Sequence, residues 1–366
     1  AAVSADDLRQ AMGPLAAIDA HRFVLVNGQH RPELSDIGKT EGIDMRPLGA
    51  TLKTMEEDAA VRILKSPAPA DETVGSLNAA LATDGVIISA ASGAKADKPI
   101  FIVHVTAGRE PRHAALRLTI GALDDADLTV VELYVSVPGA IAGHINTAAE
   151  IGLGRGATVR HTVVTLGGNV HVSSAAPTLG AEARYAAFHF TADSQIVRNQ
   201  SFPTFSGEGG KLDFSGVMLG RGTSHCDTTL VIDHAVPGCE SRELFKAVLD
   251  NRARAVFQGK VIVRPDAQKT DGKQMAQALM LSEDAEFDSK PELEIYADDV
   301  VCGHGATCAE IDPGMMFYLR ARGIPKAEAR ALLIESFIVE AVEKIEDEAV
   351  REALATAARD WLHKLA

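Results

Sequence analysis

The sequence is short of cysteine, aromatic rings, positive charge and long apolar runs, and each shortage excludes a class of protein. Four cysteines in 366 residues (Cys226, Cys239, Cys302 and Cys308) follow no disulfide-framework spacing, so a reduced, cytoplasmic compartment is expected. Aromatics are 5% of the chain, with one Trp and four Tyr. That leaves little on which a carbohydrate-active enzyme could stack sugar rings. The formal net charge of -14 counts against nucleic acid and anionic membrane partners, both of which draw on surplus Lys and Arg. No apolar run reaches bilayer length. The first ten residues are polar and lack the basic and apolar regions of a secretion signal.

What is present is small and β-branched. From about Val74 to Val301, short segments rich in Val, Ile, Leu and Thr alternate with Gly, Asn and Asp turns. Examples are Ile100–Val105, Leu128–Val137, Ala157–Leu166, Ala183–Thr191 and Ala253–Val263. Interleaved helices, which a doubly wound or barrel fold requires, are absent from the later part of this stretch. Stacked coils of a β-helix and a β-sandwich both fit this texture, and the turn spacing is too uneven to give a period. Before this stretch the pattern is mixed: a helix is expected near Asp6–Leu15, a strand over His21–Val26 with a tight turn at Asn27–Gly28, and a linker at Pro67–Pro69.

After Asp312 the chain reads as helical. Asp312 can cap, Pro313 suits the first helical position, and Gly323 ends the helix after Arg320 and Arg322. A second helix from Pro325 carries the stripe Ala327, Ala331, Ile334, Ile338, Ala341 and Ile345, widened by Leu333 and Phe337. A third stripe runs Val350, Leu354, Ala357, Trp361. The organisation expected is an N-terminal mixed or helical region over 1–73, a β core over 74–305 and a helical module over 306–366.

The densest set of potential ligands is Cys302–Gly303–His304–Gly305–Ala306–Thr307–Cys308. On an extended strand Cys302 and His304 project to one face, with Gly303 and Gly305 on the other. Thiolate and imidazole together suit iron or zinc. Two ligands do not close a site, so Cys308, another segment or a second chain has to contribute; a buried Cys beside a hydrogen-bonded His is the plain alternative. Other candidates fail. Gly152–Leu153–Gly154 is followed by strand-like residues rather than a helix, and Gly207–Lys211 meets Leu212 where a phosphate loop needs Ser or Thr. His225–Cys226 and the pair His234 and Cys239 lack metal-finger spacing and read as structural.

Leu244 through Val342, including KTDGKQMAQALMLSEDAEFDSKPELEIYADDVVCGHGATCAEID and MMFYLRARGIPKAEARALLIESFIVEAV, resembles the SufB/SufD family of iron–sulfur cluster assembly scaffold proteins. Weaker similarity covers VLVNGQHRPELS and VGSLNAALATDGVIISAASGAKADKPIFIVHVT. The chain lies nearer the SufD branch than SufB, whose members are longer and commonly carry Glu at the positions of Gly303 and Gly305.

The resemblance implies a right-handed parallel β-helix core between N- and C-terminal helical regions, and a non-catalytic scaffold. It implies pairing with a SufB-like paralogue through the β-helix. A SufC-like ATPase is expected on the C-terminal helices around Leu333, Phe337 and Ile338. Cys302 and His304 become interface ligands of iron or a transient cluster, with His304 a ligand or a proton-transfer group. Cys308 departs from the family pattern, read first as a core residue and second as a candidate extra ligand. Flavin is linked to the family's complex, but no residue here marks a site for it. Three other readings stand beside this one: a SufB-like homodimeric scaffold, a stand-alone zinc protein using Cys302, His304 and Cys308, and a carbohydrate-active β-helix enzyme.

Overall fold

The computed structural model describes residues 3–66, 68–69 and 72–364; Pro67 of the expected linker lies outside them. Among the described residues twenty strands form two sheets wound around one another. The first sheet runs, in spatial order, β2 (Gln29–His30), β1 (His21–Val26), β5 (Ile100–Thr106), β7 (Asp127–Ser136), β9 (Thr158–Leu166), β11 (Arg184–Ala192), β14 (Lys211–Gly220), β16 (Glu240–Leu249), β18 (Asp271–Met280) and β20 (Val301–Ala309). The second runs β3 (Ile43–Pro47), β4 (Asp84–Ala90), β6 (His113–Ala122), β8 (His144–Leu153), β10 (Val170–Leu179), β12 (Ile196–Ser201) with β13 (Thr204–Phe205), β15 (His225–His234), β17 (Arg254–Val263) and β19 (Glu286–Ile295). From β4 onward, apart from β12 and β13, successive strands alternate between the sheets, and all strand pairings are parallel except those of β2 and β3. This is a parallel β-solenoid, and the sandwich alternative falls.

The coil length explains why no period is visible in the sequence. Asp127, Thr158, Arg184, Lys211, Glu240, Asp271 and Val301 stand in one row across the first sheet, and with the longer steps of the second sheet a coil takes between 26 and 32 residues. One corner of successive coils turns through left-handed backbone at Gly93, Asp125, Gly156, Glu182, Gly209, Gly238 and Lys269. Glycine does this at no steric cost, whereas Asp125, Glu182 and Lys269 each accept about 1 kcal/mol of strain. The corner is geometrically regular and chemically irregular.

Alternation builds the interior. Phe23, Ile102, Val130, Val159, Tyr185, Phe214, Phe245 and Ala276 point between the sheets from the first, and Ile88, Leu118, Ile151, Ile232 and Val261 meet them from the second. A second core covers the outer face of the first sheet. There Val103, Leu133, Val164, Phe190, Val217 and Val248 pack under α1 (Ala5–Met12), α6 (Lys326–Val342) and α7 (Glu348–His363). Each fully buried aliphatic or aromatic side chain contributes roughly 1.5–3 kcal/mol.

The expected local signals appear as read. Ser4 caps α1 reciprocally with Asp7, and Asn27 and Gly28 both take positive φ in the β1–β2 hairpin turn. Asp312 accepts the N–H groups of Gly314 and Met315 at the start of α5 (Pro313–Ala321). The stretch between has more structure than its pattern suggested: β3, α2 (Leu48–Leu52), α3 (Glu57–Leu64) and α4 (Thr73–Leu81).

The two ends of the solenoid differ. At the N-terminal end, antiparallel β2 and β3 close the sheets. At the other end β20 pairs only with β18 and β19 only with β17, so among the described residues both sheets stop at bare strands.

Candidate functional site

Cys302 and His304 lie on β20, the bare strand. Cys302 stands opposite Gly272 and His304 opposite Gln274, so both side chains take the inward face of the sheet. Cys302 packs against the interior core, half-buried, while His304 is exposed at the open end. Val301 donates its N–H to the Thr270 carbonyl, toward β18. By parallel-ladder alternation, the N–H groups of Cys302, His304 and Ala306 therefore face away from the sheet, at its free edge.

Burial pushes the Cys302 thiol up from its ordinary value; the nearby N–H of Gly272 opposes this, while Asp271 and Glu243 add to it. The thiol is held protonated, and a metal ion has to displace that proton. Gly303 and Gly305 occupy the outward face. Open space surrounds Gly303, and a Cβ on Gly305 would come within 2.7 Å of the Met275 methyl.

Cys308 is on the same face and strand, opposite Ala278, and exposed, so it is not the core residue expected. Six residues of strand separate it from Cys302, about 20 Å at 3.3 Å per residue. On this chain alone Cys308 cannot join Cys302 and His304 around one ion, so the three-ligand zinc reading loses its geometry. Among the described residues no group of three or more His, Cys, Asp and Glu is placed to hold a metal.

Behind the two ligands lies a polar row that sequence inspection missed. Glu243, Gln274 and His304 stand side by side on β16, β18 and β20, facing inward. Glu243 is buried with neither carboxylate oxygen hydrogen-bonded, and the Gln274 carbonyl oxygen is also unpartnered. Burial pushes the Glu243 carboxyl up to about 8, with Ser241 and Arg242 opposing and Asp213 adding. The signal was a Glu at an inward position of a strand, visible only once the register is known.

On the other side of the sheet, an open groove of about 760 Å³ runs between the outer face and α6 and reaches β20. Its walls mix Arg242, Lys273 and Lys344 with Asp213, Glu340 and Glu343. Lys246, buried on the outer face, pairs with Glu340 and sits 4.2 Å from the centre of the Phe337 ring. Phe337 is thus engaged within the chain, and Ile338 is 1% exposed against the sheet. Leu333 is half-buried. Apolar side chains left in solvent on the helical module include Met315, Phe317, Tyr318 and Leu332, with Phe317 74% exposed.

The discarded candidates are structural. Cys226 and Cys239 are buried in cores, Cys226 with its thiol pushed up to about 12 by burial. His234 is fully buried against the Ser241 hydroxyl, 3.1 Å away. Gly154 turns between β8 and β9, with strand on both sides.

A family model described as SUF system FeS cluster assembly, SufBD core domain, matches residues 104–337. The chain belongs to the SufBD family. It is 30% identical over 341 residues to the iron–sulfur cluster assembly protein SufD of Escherichia coli, covering 92% of this chain and 78% of that protein. It is 30% identical to a SufBD family protein of Synechocystis, covering 89% and 75%, and 29% identical to SufD of Bacillus subtilis, covering 76% and 64%. The matched SufBD core runs from the middle of β5 into α6 and so contains β20 with both candidate ligands.

Proposed function

We propose that this SufBD chain is a non-catalytic, SufD-like scaffold subunit of a cytoplasmic iron–sulfur assembly complex. In this reading Cys302 and His304 are presented to a nascent cluster at an interface with a SufB-like paralogue. The observation that carries it is the placing of two soft ligands on a strand whose free edge still offers backbone donors and acceptors. Bare edges of this kind accept another strand, and a site with two donors is closed by ligands from the incoming chain. Iron and the cluster are cargo here, held in passing.

The expected division of the chain, an N-terminal mixed or helical region over 1–73, a β core over 74–305 and a helical module over 306–366, is carried into this reading, with β1 to β3 joining the sheets. A SufC-like ATPase would dock on that module through the exposed Met315, Phe317, Tyr318 and Leu332, beside Leu333 and the accessible edge of Phe337. Ile338 supports that surface from beneath. ATP hydrolysis stays with the partner, and its work reaches β20 through α6, which Lys246 ties to the first sheet. No residue of this chain is assigned to flavin.

The test is co-expression of the wild-type and His304→Ala chains with SufB-like and SufC-like partners, measuring complex recovery and bound iron. Recovery of both partners by each chain, with iron at least tenfold lower in the variant, supports the assignment. Unchanged iron in an intact variant complex removes His304 from the site. Recovery of a homodimer alone favours the SufB-like homodimeric scaffold.

A further inference from the structure

At the opposite half of the solenoid, β6 and β8 begin with His113 and His144, directly paired in register. Both lie on the outward face, since Leu116, Leu118 and Ile120 of β6 and Ala149 and Ile151 of β8 fill the interior. Their Nδ1 atoms are 2.9 Å apart, and the rings are inclined at 50° with centroids 4.7 Å apart. The two nitrogens converge instead of stacking. The strands beneath them are neighbours through ten paired positions, and the His144 N–H is held by the Arg112 carbonyl at 2.8 Å.

We propose that His113 and His144 form a surface site for a divalent first-row transition-metal ion, bound through both Nδ1 atoms. Two metal–nitrogen bonds of about 2.1 Å meeting at about 90° place their nitrogens about 3.0 Å apart. The separation found is therefore the bite of two adjacent ligands in an octahedral or tetragonal shell, the geometry of Ni2+ and Cu2+ with imidazole donors. A tetrahedral ion needs about 3.3 Å, a wider opening of the pair. Without metal, one imidazole donates its Nδ1–H to the other. On binding, that proton moves to Nε2 of the same ring, so both rings become neutral Nε2–H ligands and no net proton is released. Water fills the remaining positions. The site owes nothing to Cys302, His304 or the open end.

The test uses the full-length, tag-free chain stripped with EDTA, titrated with Ni2+ by calorimetry, and compared with His113→Gln, His144→Gln and His225→Gln. His225 is a half-buried control further along the same sheet. The expected result is at least a tenfold loss of affinity in each of the first two variants and none in the third, in wild-type and in Cys302→Ser/His304→Ala backgrounds alike. A second reading is thermal unfolding: a chelate bridging two coils raises the wild-type midpoint with Ni2+ and leaves both His113 and His144 variants unmoved. The midpoint in EDTA checks that the variants fold. Affinity within twofold of wild type in either variant, or a loss in only one of them, overturns the site.

Discussion

Glu243 is the residue whose environment agrees least with its chemistry. Its carboxyl is buried without a partner and held at about 8 against an ordinary 4.5. Between those two values the folded chain binds a proton that the unfolded chain has lost. Stability therefore falls as pH rises from about 4.5 to 8 and is independent of this group below that window. Glu243→Gln keeps the shape and removes the ionisation. The variant is expected to match wild type near pH 4 and exceed it at pH 8 by on the order of a few kcal/mol, read from urea unfolding at both values. An unchanged pH slope would show that Glu243 already has a partner in solution. At this scale the sequence singled out Cys302 and His304 as candidates, because two soft donors two residues apart on a strand share one face. It was silent on Glu243, Gln274 and the His113–His144 pair, whose neighbours are about thirty residues away in the chain.

At the scale of elements, α6 and α7 lie against the outer face of the first sheet and are pinned there by ion pairs. Glu346, between the two helices, pairs with Arg160 of β9 and Arg184 of β11, and Lys364 reaches Asp193 at 2.9 Å. Burial pushes the Glu346 carboxyl up, but hydrogen bonds and charges from Arg184 and Arg160 outweigh it, and the net shift is downward. The stabilisation is complete above the ordinary carboxylate value and is lost as pH falls through the lowered one. Trp361, the single tryptophan, is buried in this module and reports its detachment. Glu346→Gln is expected to weaken the docking by about 1 kcal/mol, given the partial exposure of the three side chains. It should bring the red shift of Trp361 emission to lower urea, and identical emission curves would refute the anchor. The capped start of α5 and the stripes of α6 and α7 were readable from spacing. The docking surface was not: of the six-residue stripe, Ala327 is exposed and Ile338 buried, because the sheet selects which part of a wide apolar face it covers.

For the whole molecule, the proposed assembly turns on the asymmetry of the two ends. Ala306 turns its N–H toward the free edge, so proline there removes no bond within the chain's own sheet. Ala306→Pro is expected to leave the unfolding midpoint within a few degrees of wild type while abolishing association through β20, measured by light scattering of the chain with its partner. Retained assembly would mean that the partner does not add a strand at this edge. The strands recognised from sequence were the Val- and Ile-rich ones. Those missed include β10 and β18, built from Ser, Ala, Gln, Lys and even proline. Pro177 is tolerated in β10 because Ala175, two residues earlier, faces β12, accepting the Phe202 N–H. Pro177 thus turns its missing donor toward the break between β12 and β13.

What the sequence by itself determined was composition, caps, turns and, through a hundred residues of ordered similarity, the family, and it singled out Cys302 and His304 as candidates. Those are local or serial properties, carried by neighbouring residues. Tertiary structure decided the rest: which strands stack, which irregular corners coincide, which end is bare, and that Cys308 stands about 20 Å from Cys302. A solenoid joins each residue to one a variable 26 to 32 positions away. No fixed spacing in the sequence encodes those contacts, and the burial and charge of the site follow from them.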